Sequence, residues 1–357
     1  MDPFFFGKAF GEETQVQGEV VFNTGMVGYC ESLTDPSYNG QILLQTYPLV
    51  GNYGVPSIQK SKFQLNEVFE SNSIKVTGYA ISELCEKPSH YSNYFSLNDW
   101  MVSQKIPGIY GLDTRELTKK LREKGVMLGI LNTKNPDPEK LKKQCQNIPD
   151  PNLKDLVSEV SVKNPIEYTT GSENTVVVID CGVKFNILRN LLKFSNVVRV
   201  PYNFTAEEIL EFKPNGILIS NGPGDPKILN KTIKEVSSLC SYNIPLFGIC
   251  LGSQILALAL GGDTYKLKYG HRGQNQPCIE SSTKKCYITS HNHGYAIDPN
   301  LPQNIEPWFI NANDGTIEGI SHTKKPFNAV QFHPEHCPGP TDTDFIFNNF
   351  KKELKKI

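Results

Sequence analysis

A cysteine between two glycines is the feature of this sequence that most directly suggests catalysis. Cys250 lies in the segment Gly248-Ile249-Cys250-Leu251-Gly252. The apolar run before it, residues 244–249, is typical of a buried parallel strand, and residues 254–260 are expected to form the helix that follows. The pattern predicts a nucleophile elbow, in which a sharp turn between strand and helix exposes the attacking side chain.

The residues around Cys250 suit that geometry. A nucleophile in a strained turn needs small neighbours, and Gly248 and Gly252 allow the strand and the helix to approach closely. The helix N-terminus favours a thiolate at Cys250, and the backbone N–H of Leu251 is placed to receive a developing oxyanion. A buried structural cysteine is the alternative interpretation of this segment when it is considered alone.

Two further loops follow predicted buried strands. The first, Ser220-Asn221-Gly222-Pro223-Gly224-Asp225-Pro226, is a rigid turn whose N–H groups can face an oxyanion or a carboxylate. The second, residues 331–336, contains His333 as a candidate base and Glu335 as the carboxylate that fixes its tautomer. Together with Cys250, these residues are compatible with a cysteine–histidine–glutamate triad.

The sequence gives no indication that the other histidines form a metal site. A metal site formed by His333, His336 and Cys337 is a rival interpretation of the second loop, but the spacing matches no common zinc pattern. The remaining candidates are interpreted as structural residues held by local hydrogen bonds. They are His271, His291, His293 and His322. No metal is therefore expected.

Composition limits the class of protein. The chain of 357 residues is long enough for two domains, and its net charge of −1 gives no indication of a nucleic acid or membrane partner. No apolar run of about 18 residues predicts a membrane-spanning helix, and the first residues lack the features of a signal or transit peptide. Nine cysteines, an odd number without CxxC spacing, favour a reducing compartment, and we predict a cytoplasmic protein.

The pattern of predicted strands and helices changes near the middle of the chain. Residues 1–134 mix short β-type runs with two capped helices. Residues 135–172 contain three proline-containing segments, with a basic amphipathic helix between the first two, and are predicted to be a linker. Residues 173–357 alternate buried strands with helices, beginning with the β-branched run Thr175–Asp180. We predict an α/β protein, with a mixed α/β domain followed by a doubly wound α/β domain whose strand ends carry the function.

The three loop motifs together resemble the class I, triad-type glutamine amidotransferases. The N-terminal half is similar to the small subunit, or fused glutaminase region, of carbamoyl-phosphate synthetase. That second resemblance is carried by residues 21–29, 33–38, 46–48, 51–54, 108–115, 269–277 and 290–294. It covers nearly the whole chain and is closest to the eukaryotic glutamine-dependent, pyrimidine-type enzymes. An intact Cys250 argues against the ammonia-dependent branch of the family.

The resemblance implies a role for each matching residue. Cys250 attacks the amide of L-glutamine to give a thioester and ammonia, and His333 and Glu335 complete the triad. Gly224 and Leu251 supply the oxyanion N–H groups. The glutamine is held by Ser37, Gly222, Gln254, Asn292, Gly294 and Tyr295. Because Ser37 belongs to the N-terminal domain, the resemblance implies a site at the domain interface.

The resemblance also implies partners. The chain is expected to need no cofactor of its own, and to pass ammonia to a large synthetase subunit, or to fused synthetase domains, that use ATP, Mg and bicarbonate. Two alternatives stay open. One is a glutaminase for another synthetase, such as those for GMP, CTP or anthranilate, which lack the domain containing residues 35–38 in this form. The other is a non-catalytic scaffold or regulatory subunit.

Overall fold

The computed structural model describes residues 4–354, so residues 1–3 and 355–357 of the predicted domains lie outside the described residues. The chain divides between Lys154 and Asp155 into two compact units, each with its own hydrophobic core. Both units are α/β, which confirms the predicted fold class. In the described residues, no helix has the length and apolar character that crossing a bilayer requires.

The first unit is built on a six-stranded mixed sheet. The strands of this unit, six of which form the sheet, are β1 (Lys8–Gly11), β2 (Gln15–Asn23), β3 (Gln41–Gln45), β4 (Leu49–Val50), β5 (Gly78–Ala80), β6 (Glu83–Leu84), β7 (Pro107–Tyr110) and β8 (Met127–Asn132). Its α-helices are α1 (Tyr29–Thr34), α2 (Leu97–Ser103), α3 (Thr114–Lys124) and α4 (Pro138–Cys145). The order in the sheet is β1-β7-β5-β3-β2-β8, and β4 pairs with β6 separately.

Side-chain caps fix two of these helices where the sequence predicts them. Ser96 accepts a hydrogen bond from the backbone N–H of Asp99 at the start of α2. Asp113 does the same for the N–H of Glu116 at the start of α3, at 2.9 Å. Each cap satisfies one of the amides that lack a partner within the helix, and the two capped helices predicted in this part of the chain are confirmed.

The second unit contains a ten-stranded sheet. Its strands are β9 (Ile166–Tyr168), β10 (Thr175–Asp180), β11 (Asn196–Pro201), β12 (Gly216–Ile219), β13 (Leu246–Ile249), β14 (Thr264–Glu280), β15 (Cys286–Ile297), β16 (Ile305–Asn311), β17 (Ile317–His322) and β18 (Phe327–Val330). Its α-helices are α5 (Val157–Val160), α6 (Phe185–Leu191), α7 (Ala206–Glu211), α8 (Asn230–Leu239), α9 (Leu251–Ala259) and α10 (Phe345–Leu354).

A parallel core within this sheet brings the functional loops together. The sheet order is β15-β14-β16-β17-β18-β13-β12-β10-β11-β9, and the five strands from β18 to β11 run parallel. The strands are almost completely buried, as their apolar runs predict. Their carboxyl ends lead into the loops after residues 180, 219, 249 and 330 at one edge of the sheet. This is where doubly wound folds hold their ligands.

The stretch predicted as a linker, residues 135–172, contains regular structure. It includes α4, α5 and β9, and β9 pairs antiparallel with β11 at the end of the second sheet. The boundary between the two units falls inside this stretch.

Candidate active site

Cys250 occupies the turn between β13 and α9 with backbone angles of φ 54° and ψ −109°. A non-glycine residue at positive φ is uncommon and costs of the order of 1–3 kcal/mol, so the surrounding structure must hold it in place. The N–H of Cys250 donates to the carbonyl of Val330 at 2.9 Å, and the hydroxyl of Ser253 donates to the carbonyl of Cys250 at 2.7 Å. Helix α9 begins at Leu251, three residues earlier than the sequence suggested.

Gly252 shows why the turn needs a glycine. A Cβ at this position would lie 2.0 Å from the carbonyl oxygen of Ile219, which belongs to the neighbouring strand β12. Real Cβ atoms essentially never approach an oxygen so closely, and the obstacle is backbone that cannot move aside. The glycine therefore lets the start of α9 pack directly on the sheet.

Gly252→Ala is expected to lower the free energy of unfolding by about 3 kcal/mol, because the added methyl group must displace the backbone of β12. Gly315→Ala is the matched control. Gly315 has a φ of 76° and open space around its missing Cβ, so this change is expected to cost only about 1 kcal/mol. Urea unfolding of the two variants measures both values, and equal costs would contradict the packing argument.

His333 and Glu335 form the second part of the site, after β18. Nδ1 of His333 lies 2.6 Å from Oε1 of Glu335, so the imidazole donates its Nδ1 proton to the carboxylate. Both side chains are buried, at 2% and 0% exposure. The carboxylate therefore leaves Nε2 as the nitrogen that exchanges protons, and Nε2 has no hydrogen-bond partner of ordinary geometry among the described residues.

Charge favours the protonated imidazole. Burial opposes a charge on His333, but the carboxylate of Glu335 and the sulfur of Cys250 outweigh it and raise the pKa of His333 from 6.5 to about 10. Cys250 and His333 follow the neighbouring parallel strands β13 and β18, so both lie at the same edge of the sheet. The sulfur also lies 3.7 Å from the carbonyl oxygen of Asn292, within reach of a weak S–H donor bond.

Two residues that the sequence analysis did not identify support Glu335. Nζ of Lys184 lies 3.0 Å from Oε1 of Glu335 and donates to the carbonyl of His336 at 2.8 Å. The side-chain amide of Asn186 donates to the carbonyl of Glu335. Burial opposes ionisation of Glu335, yet Lys184 and His333 lower the pKa of this carboxyl from 4.5 to about 2. The carboxylate is therefore charged at neutral pH.

Lys184→Met is expected to lower the free energy of unfolding at pH 7 by about 3 kcal/mol, because it removes one of the two cations that stabilise the buried carboxylate of Glu335. The folded-state pKa of Glu335 lies below 4.5, so its ionisation stabilises the fold above that pH, and this is lost as the pH falls towards 2. Without the Lys184 cation the pKa of Glu335 is higher, so in the variant this stabilisation should be lost at a higher pH than in the unchanged protein.

The matched control for this change is Lys227→Met. Lys227 pairs with Asp263 at 2.7 Å, but both side chains are about half exposed or more, so the change should alter stability little. Denaturant unfolding of both variants between pH 3 and 7 makes the comparison. Equal stability of Lys184→Met and the unchanged protein would contradict a buried pair.

The predicted oxyanion loop lies beside the elbow. A Cβ on Gly222 would lie 2.1 Å from the carbonyl oxygen of Cys181 and 2.8 Å from the side chain of Leu251, so this glycine packs against the start of α9. Gly224 has a φ of 88°. Leu251 is the first residue of α9, and the first amides of an α-helix have no partner within it. The roles of Gly222, Gly224 and Leu251 remain predictions.

Strand β15 passes close to the thiol at Asn292. Its Tyr295 carbonyl accepts a hydrogen bond from Nε2 of Gln254 at 2.9 Å, and that nitrogen also donates to Oε1 of Gln331 at 2.9 Å. Asn292, Gly294 and Tyr295 thus belong to a strand held on α9, the helix that begins at the elbow. That they bind glutamine remains a prediction.

Ser37 belongs to the first unit. It is buried in a 3-10 helix, Pro36–Tyr38, and its backbone N–H donates to Oδ1 of Asp35 at 2.9 Å. The sequence predicts the turn that contains it. Its predicted contribution to the glutamine site remains a prediction.

The rival metal interpretation of the second loop finds no support in the described part of the chain. Nε2 of His336 lies 2.9 Å from Oδ1 of Asp344, while His333 faces Glu335. Among the described residues, these histidines and Cys337 do not form a cluster that could hold an ion.

A different set of histidines does converge. His271, His291 and His293 lie together with Glu318, and all four are buried. Burial lowers the pKa of His291 to about 4 and that of His293 well below its ordinary value. For His271 burial acts in the same direction, but bonds to Glu318 and Asp314 outweigh it and raise the pKa. From the sequence each of these histidines is interpreted singly, and the cluster is not predicted.

Comparison with known proteins identifies both units. Residues 177–353 match the glutamine amidotransferase class-I family, and residues 2–131 match the carbamoyl-phosphate synthase small chain, CPSase domain. The second unit is therefore a class I glutamine amidotransferase domain.

Relatives match over nearly the whole chain. The carbamoyl phosphate synthase small chain of Pyrococcus furiosus is 47% identical over 98% of this chain and 94% of its own length, and that of Sulfurisphaera tokodaii is 45% identical over the same shares. The multifunctional protein CAD of Squalus acanthias is 47% identical over 97% of this chain, which spans 15% of that longer protein. This chain belongs to the carbamoyl-phosphate synthase small-chain family, and the resemblance predicted from its motifs is confirmed.

Proposed function

We propose that this chain hydrolyses the side-chain amide of L-glutamine through a thioester on Cys250 and delivers the ammonia to a carbamoyl-phosphate synthetase. The observation that carries the proposal is the buried elbow cysteine beside the His333–Glu335 pair, in a chain of this family. The match of residues 2–131 favours this synthetase over those for GMP, CTP or anthranilate.

The first half-reaction forms the thioester. The sulfur of Cys250 attacks the amide carbon of glutamine, and the carbonyl oxygen gains a negative charge that the N–H groups of Gly224 and Leu251 stabilise. His333, protonated at Nε2, gives that proton to the amine as the C–N bond breaks, and ammonia leaves. Its raised pKa means that the proton is available at neutral pH.

The second half-reaction regenerates the enzyme. Nε2 of His333, now neutral, takes a proton from water as the oxygen attacks the thioester carbon. The carbon–sulfur bond breaks, glutamate leaves, and the Cys250 thiolate faces an imidazolium again. Glu335 keeps its negative charge throughout, because Lys184 and the imidazolium both stabilise it.

The substrate site and the partner complete the proposal. Ser37, Gly222, Gln254, Asn292, Gly294 and Tyr295 hold the glutamine. The partner is a large synthetase subunit or fused synthetase domains, which combine the ammonia with bicarbonate and use ATP with Mg for pyrimidine synthesis, arginine synthesis or both. Buried thiols, among them Cys30, Cys181, Cys240 and Cys278, fit a reducing compartment, and we assign the chain to the cytoplasm.

Isotope transfer tests the coupling. With the synthetase large subunit, ATP, Mg and bicarbonate, glutamine labelled with nitrogen-15 in its amide should give labelled carbamoyl phosphate. An excess of unlabelled ammonium should dilute that label little, because the ammonia does not pass through the solvent. Glutamine hydrolysis with complete dilution would exclude delivery to the partner, and no hydrolysis with or without the partner would favour the scaffold alternative.

A further inference from the structure

Three imidazoles and a carboxylate point at a common space in the second unit, and the proposed glutaminase does not use them. They come from three strands: His271 from β14, His291 and His293 from β15, and Glu318 from β17. One ligand atom of each lies within 4.8 Å of every other. Their side chains are between 0% and 8% exposed.

The separations among His291, His293 and Glu318 are close to those of a tetrahedral metal site. Nδ1 of His291 lies 3.0 Å from Nε2 of His293, and these atoms lie 3.5 and 3.8 Å from Oε2 of Glu318. Nδ1 of His271 lies 2.9 Å from the other carboxylate oxygen. Zinc bonds of about 2.0–2.1 Å in a tetrahedron place neighbouring ligand atoms roughly 3.3 Å apart.

The outward nitrogen of each histidine has an acceptor. Nε2 of His271 lies 2.8 Å from Oδ2 of Asp314, Nδ1 of His293 lies 2.8 Å from the Tyr295 carbonyl, and Nε2 of His291 lies 2.6 Å from the hydroxyl oxygen of Thr289. Histidines that bind a metal almost always donate their second N–H to such a partner.

These outer bonds leave lone pairs facing inwards. The Tyr295 carbonyl can only accept, so the proton of a neutral His293 is on Nδ1. When Thr289 donates its one proton to the carbonyl of Gln276 at 2.8 Å, the proton of a neutral His291 is on Nε2. In that tautomer two unprotonated nitrogens face each other at 3.0 Å, an arrangement that a cation would stabilise, whereas the other tautomer joins them by a hydrogen bond.

The carboxylate of Glu318 independently indicates a bound cation. Its Oε1 accepts from the side-chain amide of Asn311 at 3.0 Å, which orients the carboxylate. Its Oε2 is fully buried and makes no hydrogen bond with any described residue. An oxygen of this kind is costly unless it binds something.

We propose that His271, His291, His293 and Glu318 bind one Zn²⁺ ion as a closed structural site. Four protein ligands leave no position for a substrate, and three imidazoles with one carboxylate suit zinc among the common divalent ions. The site departs from the expectation of the sequence analysis that the chain holds no metal. It rests on the cluster alone and does not depend on the proposed glutaminase activity.

The site would stabilise the strand that borders the thiol. His291 and His293 flank Asn292, whose carbonyl oxygen lies 3.7 Å from the sulfur of Cys250. A metal that joins β14, β15 and β17 would fix this part of β15. Removing it is expected to lower the melting temperature of the full chain.

Metal titration of the untagged full chain tests the proposal. The protein carries Cys250→Ser so that the reactive thiol cannot compete for metal, and it is stripped with a chelator before Zn²⁺ or Co²⁺ is added. We expect one equivalent to bind, with the visible absorption of tetrahedral Co²⁺ and without the near-ultraviolet band of a thiolate ligand. His291→Gln and Glu318→Gln should abolish this signal.

Two further variants separate ligation from folding. Asp314→Asn changes the partner of His271 without replacing a proposed ligand, lies at a partly exposed position, and should weaken Zn²⁺ binding by about 10- to 100-fold. His322→Gln removes a histidine outside the cluster and should leave binding unchanged. Less than a tenth of an equivalent bound by the folded parent, a thiolate band, or equal binding by Asp314→Asn and the parent would each overturn the proposal.

Discussion

Cys250→Ser is expected to reduce glutamine-dependent ammonia release at least ~10³-fold, because a serine hydroxyl at this position is a far weaker nucleophile than a thiolate beside an imidazolium. Folding should be unaffected, since serine is similar in size and the backbone N–H still bonds to Val330. Synthesis of carbamoyl phosphate from added ammonia by the partner should persist. The measurement is the rate of each reaction for the variant and the parent.

Cys240→Ser is the matched control for this prediction. Cys240 is also buried, and burial raises the pKa of its thiol to about 11, but it lies at the end of α8, away from the elbow. Its replacement should leave glutamine hydrolysis within a few-fold of the parent. Undiminished ammonia release by Cys250→Ser would contradict the assignment of the nucleophile.

Glu335→Gln is expected to lower kcat by about 10³–10⁴-fold, the size of effect that follows when a triad loses its carboxylate. It should also change the pH profile. The folded-state pKa of His333, about 10, lies above its ordinary value partly because of Glu335. Without the carboxylate this pKa falls, so the alkaline limb of kcat/KM, where the imidazolium loses its proton, should move to lower pH.

The pH profile distinguishes this role from a merely structural one. A variant that only misfolds loses activity at every pH, while the predicted variant keeps a bell shape with a shifted limb. Glu335→Asp, which keeps the charge, should retain more of the raised pKa than Glu335→Gln. An alkaline limb at the same pH in parent and Glu335→Gln would contradict the role of Glu335.

Much of the second unit could be predicted because its signals are local. The β-branched run before Cys181 and the apolar run before Cys250 each predict a buried strand, and β10 and β13 are found there. Gly248 and Gly252 predict the elbow because this turn depends on residues that lie only four positions apart in the sequence. The pairing of His333 with Glu335 was predictable for the same reason.

The support of Glu335 was not predictable because it depends on distance in sequence. Lys184 and Asn186 lie about 150 residues before Glu335 and reach it only because β10 and β18 both end at the same edge of the sheet. No periodicity or spacing in the sequence relates these residues. The buried charge of Glu335 was a possible signal, since a buried carboxylate needs a cation.

The histidine cluster was missed for a related reason. β14 is 17 residues long, contains glycines and a proline, and pairs with β15 through two irregular registers. Such a strand lacks the alternation that a sequence pattern reveals. His271 and His293 are direct partners across these strands, but only the register shows this.

Trapping the covalent intermediate tests the central claim most directly. The full chain, mixed with glutamine and its synthetase partner and quenched in acid during turnover, is digested and examined by mass spectrometry. We predict one added glutamyl group on the peptide that contains Cys250, and none in Cys250→Ser. Turnover of glutamine with the glutamyl group on another residue, or steady turnover with no covalent adduct at any quench time, would contradict the proposed chemistry.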